Sequence, residues 1–105
     1  MTDPGVATRV VRNPERRRYE IWSGDELAGY SAYRESGDSL VFTHTEIDSA
    51  FSGQGLGTIL VRETLDDAVR RERTIVPLCP FVTRVLRQTS DYDDHVAWPE
   101  GASRE

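Results

Sequence analysis

A chain of 105 residues, 37% apolar and 30% charged, has the size and make-up of one globular unit with its own core, which excludes a two-domain layout and widespread disorder. A formal charge of -5 opposes a phosphate backbone, so nucleic acid is not an expected partner and cationic or neutral substrates suit the surface better. No apolar run approaches the roughly 18 residues of a membrane-spanning helix, and Met1-Thr2-Asp3-Pro4-Gly5 has no cationic stretch leading into an apolar one, so the expected setting is cytoplasmic, with no membrane partner.

In chain order, loose alternation over 6–12 predicts a first strand, closed by the turn signal Asn13-Pro14-Glu15, because proline fixes its own φ and biases the preceding residue away from helix. Residues 17–23 put Arg18, Glu20 and Trp22 on one side and Tyr19 and Ile21 on the other, a half-buried strand that meets the turn Gly24-Asp25. Residues 27–35 form a third strand up to Gly37-Asp38, and 39–48, dense in β-branched and aromatic types, a fourth. Such strands with short turns make an antiparallel meander. From Leu56 the period changes: Leu56, Leu60, Val61, Thr64, Leu65, Ala68 and Val69 recur at helical spacing, predicting an amphipathic helix over 56–71. Its outer face pairs Asp66 with Arg70 and Asp67 with Arg71 at i,i+4. Residues 74–79 read as a short apolar strand, reached by a right-handed crossover and therefore parallel to its neighbour. A second helix over 81–89 takes Pro80 in its first turn, where the missing N–H costs nothing. The core spans about 6–98 and 99–105 is a tail, all within one unit.

Residue types narrow the chemistry. All 13 basic residues are Arg, which removes mechanisms needing a lysine Schiff base, a lysine general base or a P-loop lysine. A lone Cys with two His offers neither an internal disulfide nor a credible zinc site, so no metal is expected. Gly53, Gly55 and Gly57 alternate between a strand and an amphipathic helix, where backbone N–H groups unshielded by Cβ atoms can approach an anion. The spacing is wrong for a dinucleotide fingerprint and the loop follows the fourth strand, so a pyrophosphate cradle or a tight structural turn remain.

The strand ending Phe42-Thr43-His44-Thr45-Glu46-Ile47, the loop Gly53-Gln54-Gly55-Leu56-Gly57, the helix after it and Val76-Pro77-Leu78-Cys79-Pro80-Phe81 together resemble the short-chain branch of the GNAT superfamily of N-acetyltransferases, over roughly residues 19–96. The glycine loop is shared across that superfamily, whereas the His-Thr-Glu strand with Pro-Leu-Cys-Pro-Phe marks the small branch. The resemblance implies an α/β (α+β) fold, a mixed, mostly antiparallel sheet of about five strands with two helices. It implies acetyl-coenzyme A as co-substrate, its pyrophosphate at Ser52, Gly53, Gln54, Gly55, Leu56, Gly57 and Thr58, and its pantetheine arm in a splay between the strands flanking the helix. Where the superfamily usually has Arg or Gln three residues before the middle glycine, this chain has Ser52, which predicts weakened affinity with the backbone donors retained.

Acetyl transfer to an amine needs a base for the ammonium proton, a donor for the developing oxyanion and an acid for the leaving thiolate. Strand alternation puts Phe42, His44 and Glu46 on one face and Thr43, Thr45 and Ile47 on the other, so His44 or Glu46 is the candidate base, and imidazole is the type that titrates nearer neutrality. A backbone N–H near Ile47 is the candidate oxyanion donor. For Cys79 three roles stand open: acyl-accepting nucleophile, acid for the thiolate, or small buried hydrophobe. Tyr92 is a further candidate acid, set against a packing role, while His95, Trp98, Trp22 and Tyr33 read as packing. With no helix before Gly53, the acceptor groove is expected to be open and shallow, which favours an exposed amine on a polyamine, peptide or protein over a small molecule that must be enclosed, with a small amine kept among the acceptors. The alternatives are a non-catalytic acetyl-coenzyme A or coenzyme A binding module and a partner-binding domain whose glycines only make a turn. Arg16-Arg17-Arg18 can protect the first strand's edge by charge, which leaves monomer or weak homodimer.

Overall fold

Short turns set the architecture: a computed structural model, which describes residues 7–101, folds the chain back at Pro14–Arg17, Gly24-Asp25 and Gly37-Asp38, so that each strand pairs with the one before it. Strands β1 (Thr8–Asn13), β2 (Arg18–Ser23), β3 (Glu26–Ser36) and β4 (Ser39–Ile47) pair antiparallel in that order, and β5 (Thr74–Pro77) adds parallel to β4. Helix α1 (Leu56–Arg70) makes the crossover and α2 (Pro80–Gln88) follows β5. The mixed, mostly antiparallel five-stranded sheet with two helices is therefore as expected. Val6, expected to open the first strand, and the end of the tail lie outside the described residues.

Both helices enter one hydrophobic cluster with the sheet. Leu60, Val61, Leu65 and Ala68 of α1 and Val82, Val85 and Leu86 of α2 meet Tyr19, Ile21, Tyr33, Leu40, Phe42 and Ile75. Each large apolar side chain removed from water there contributes about 1.5–3 kcal/mol. Trp98 packs against the same cluster.

Two local features depart from the sequence expectations, and both shape the site. In β4 the register passes from Tyr33↔Phe42 to Ala32↔His44, leaving Thr43 as an extra residue. This bulge resets the alternation: Phe42 is fully buried, while His44 and Glu46 turn to the opposite, exposed face and Thr45 returns to the face of Phe42. The expectation that Phe42, His44 and Glu46 share a face is thus corrected, although His44 and Glu46 do stay together. In β5 the ladder ends at Pro77, not Cys79. The N–H groups of Leu78 and Cys79 both donate to the Phe42 carbonyl (3.0 and 2.9 Å), turning the chain out of the sheet. Cys79 becomes the N-cap residue of α2, ahead of Pro80.

Candidate active site

Beyond Phe42 and Pro77 the parallel strands lose contact, because β4 continues to Ile47 while β5 has ended. A cleft of about 590 Å³ occupies this splay, lined by His44, Thr45, Cys79, Pro80, Phe81 and Arg84. The main chain of β4 presents donors to it. Asp48 N–H bonds the Ala28 carbonyl at 2.8 Å, which makes Ala28 and Asp48 a bonded pair. The adjacent Gly29/Ile47 pair is then a non-bonded one, and antiparallel geometry directs the Ile47 N–H away from β3 and toward the splay.

The glycine loop lies outside the cleft's lining and reaches it through Phe81, which packs at Gly57. Gly53 (φ 79°) and Gly55 (φ 74°) hold left-handed backbone, and a Cβ on either would meet no atom within 4 Å, so both stand at open space. Gly55 is the N-cap of α1, and the first intrahelical bond runs from Ile59 N–H to the Gly55 carbonyl (3.3 Å). The N–H groups of Leu56, Gly57 and Thr58 therefore precede the helical ladder and point outward with the positive end of the helix dipole. No acidic side chain competes for them in the first turn. Gly57 has a different reason to be glycine: a Cβ there would lie 2.4 Å from the Phe81 ring, so its absence lets α2 close onto the mouth of α1. Ser52 is turned away from that mouth, its Oγ donating to the Ser49 carbonyl at 3.0 Å. Gln54 is exposed.

Of the residues predicted to do chemistry, His44 and Cys79 both line the cleft, and Glu46 stands beside His44. His44 Nε2 lies 3.4 Å from Glu46 Oε1, both side chains being more than half exposed, and the imidazole also sits 5.9 Å from the Tyr30 ring. Glu46 itself borders a smaller cavity of about 200 Å³ with Gly29, Tyr30 and Asp48. Cys79 is buried, and its Sγ donates to Thr45 Oγ1 at 3.3 Å, which lies 2.9 Å from the Oγ of fully buried Ser31. Thr45 and Ser31 were not predicted. The signal for them lies in the bulge, which alone brings Thr45 to the side of Cys79. Tyr92 is elsewhere: its hydroxyl donates to Asp66 Oδ1 (2.6 Å) and the Arg62 carbonyl (3.2 Å), fastening the C-terminal segment to α1. Burial first, and the Asp66 carboxylate next, push the Tyr92 phenol well above its ordinary range. Its packing role is the one observed.

A family model described as GCN5-related N-acetyl-transferase matches residues 18–95. The chain belongs to this family. The fold is also that of a GCN5-like putative N-acetyltransferase from Staphylococcus aureus, whose solution structure superposes with a TM-score of 0.66 at 19% identity, over 89% of this chain and 91% of that one. No curated protein matches. The family match covers every element from β2 to α2, and so includes the glycine loop and both strands of the splay. Among the described residues, no group of three or more His, Cys, Asp or Glu side chains is arranged to hold a metal ion, and no helix is long and apolar enough to cross a membrane.

Proposed function

We propose that this protein, as a member of the short-chain branch of its family, moves an acetyl group from acetyl-coenzyme A to a primary amine of a small amine, polyamine, peptide or protein. One observation carries the reading: the unbonded N–H groups at the mouth of α1 and the open β4–β5 splay adjoin each other, with Phe81 touching both. The open space before Gly53 and Gly55 fits a pyrophosphate, and the splay fits an extended arm. When bound, acetyl-coenzyme A supplies an activated acyl group on a thiolate leaving group.

The roles of the side chains follow from their positions. Leu56, Gly57 and Thr58 N–H groups hold the pyrophosphate, with the helix dipole adding about 0.3–1 kcal/mol, or up to ~2 when partly buried. The Ile47 N–H holds the acyl oxygen and stabilises the charge that develops there. His44 accepts the proton of the incoming ammonium group, and Glu46 orients its ring. Cys79, fixed by Thr45 and Ser31 with its S–H as a donor, suits the acid that protonates the departing thiolate better than the nucleophile.

Calorimetric titration of acetyl-coenzyme A tests the reading, with Gly55→Asn and Gly55→Asp as paired controls. Asn tolerates left-handed backbone and stays neutral, whereas Asp sets a carboxylate against the pyrophosphate. Saturable binding that survives in the Asn variant and fails in the Asp variant is the expected outcome. At a hundredfold excess over Kd the ligand should add about 2.7 kcal/mol of stability. No heat and no melting shift with the unaltered protein would leave the loop a turn and remove the transferase reading. Given binding, turnover with an amine panel decides between transferase and binding module: His44→Gln and Cys79→Ala should slow acetylation while keeping coenzyme affinity.

A further inference from the structure

The mouth of α1 has backbone donors but no cation of its own. Residues 49–58 contain no basic side chain, and the first one on the helix, Arg62, is paired with Asp91 at 3.1 Å. The nucleotide half of coenzyme A carries a pyrophosphate and a 3′-phosphate, and a net charge of -5 gives neither a long-range attraction, so a local cation would add to what the backbone donors supply. That charge stands on the neighbouring helix. Arg84 is exposed, lines the splay cleft, and has no carboxylate partner among the described residues. Its Cζ lies 4.7 Å from the centroid of the Phe81 ring, and the edge of that ring is the contact that Gly57 makes room for in the first turn of α1. One aromatic ring therefore spans from the helix mouth to the guanidinium. The guanidinium lies over the ring, and among the described residues no ion pair or hydrogen bond engages its N–H donors, which leaves them for phosphoryl oxygens.

We infer that Arg84, held on Phe81, is the side-chain cation that binds the phosphates of the coenzyme, a role the loop residue Ser52 does not fill. This inference rests on the coenzyme reading above and adds to it a residue outside the glycine loop. It also explains Gly57 in functional terms, since any larger residue there would displace the ring that positions Arg84.

The test is calorimetric affinity for acetyl-coenzyme A and for its 3′-dephospho form, measured on the unaltered protein and on Arg84→Gln, Arg84→Lys and Arg34→Gln. Arg34 is exposed on β3, so its variant controls for the loss of one charge. Arg84→Gln should weaken acetyl-coenzyme A about tenfold, Arg84→Lys by less, and Arg34→Gln by under about twofold, with melting temperatures unchanged. A loss that persists with the dephospho ligand assigns Arg84 to the pyrophosphate, and one that vanishes assigns it to the 3′-phosphate. Equal affinity of Arg84→Gln and the unaltered protein would overturn this inference and leave the coenzyme reading intact. Absence of binding to the unaltered protein would overturn both.

Discussion

The two ends of α1 sit in opposite chemical surroundings. Toward its C-terminal end α1 is clamped by side chains: Tyr19 donates to Asp67 Oδ2 at 2.6 Å, Arg71 and Arg70 reach the same carboxylate at 2.7 and 3.1 Å, and Tyr92 closes onto Asp66 at 2.6 Å. At the N-terminal end the N–H groups of Leu56, Gly57 and Thr58 have no helical partner and face open space across the glycine loop. The sheet beneath repeats the contrast, with β1 to β4 paired along their lengths and β4 parting from β5 after Phe42. Unsatisfied donors cost little while water reaches them, but the loop that presents them contributes little to holding the helix. The clamped end supplies that hold, so stability and the proposed ligand contact are divided along one helix.

Given that division, substitutions at the clamped end should change stability and spare coenzyme affinity. Leu65, fully buried against the sheet, is the strongest case. Leu65→Ala should cost about 2–5 kcal/mol, read as a fall in the denaturation midpoint, while acetyl-coenzyme A binds the remaining folded protein with unchanged Kd. A large loss of affinity at full folding would show that the two ends are coupled.

Gly57→Ala probes the open end, where the effects should reverse. Its Cβ would sit 2.4 Å from the Phe81 ring, so α2 must shift, at a cost of about 1–3 kcal/mol in stability. The larger consequence is for the ligand, because the shift moves Phe81 and Pro80, which line the splay. Coenzyme affinity should fall more than it does in Leu65→Ala, despite the smaller loss of stability. Equal affinity in the two variants would erase the distinction.

Much of this arrangement was legible from residue order. Turn residues at Gly24-Asp25 and Gly37-Asp38, alternation in the strands and the stripe from Leu56 to Ala68 give the sheet and α1, because these signals are local. The glycine loop was legible for the same reason. The faces of β4 were not, since the extra residue at Thr43 arises from the match between β3 and β4 and leaves no mark on β4 alone. That step hid Thr45 and Ser31 and put Phe42 on the wrong side of His44. Arg70 was expected to pair with Asp66, yet it pairs with Asp67, while Asp66 accepts the hydroxyl of Tyr92, distant in sequence. Arg84 was missed likewise: its meaning lies in a ring packed against another helix.

The pH dependence of stability sharpens the contrast through the clamps. Burial raises the Asp67 carboxyl, but hydrogen bonds from Tyr19 and Arg71 outweigh it and hold the group below its ordinary range; Glu20 is held low in the same way by Arg18, Asn13 and Trp22. A carboxyl depressed in the folded state stabilises above its unfolded pKa of roughly 4, and that contribution is lost as pH falls through the folded value. The Tyr19 and Tyr92 phenols are raised, first by burial and then by the carboxylates they donate to. Their contribution is whole below the unfolded value of about 10 and is lost as pH rises beyond it, because the unfolded chain then releases protons that the folded one keeps. Tyr19→Phe and Tyr92→Phe should each cost only about 0.5–1.5 kcal/mol at neutral pH. Combined, they should flatten the alkaline limb of a stability profile above pH 10 while the acid limb persists through Glu20. Coenzyme affinity at neutral pH should not change in either variant, since neither phenol touches the splay or the glycine loop; a drop there would mean that the clamps set the aim of the open end as well as its stability.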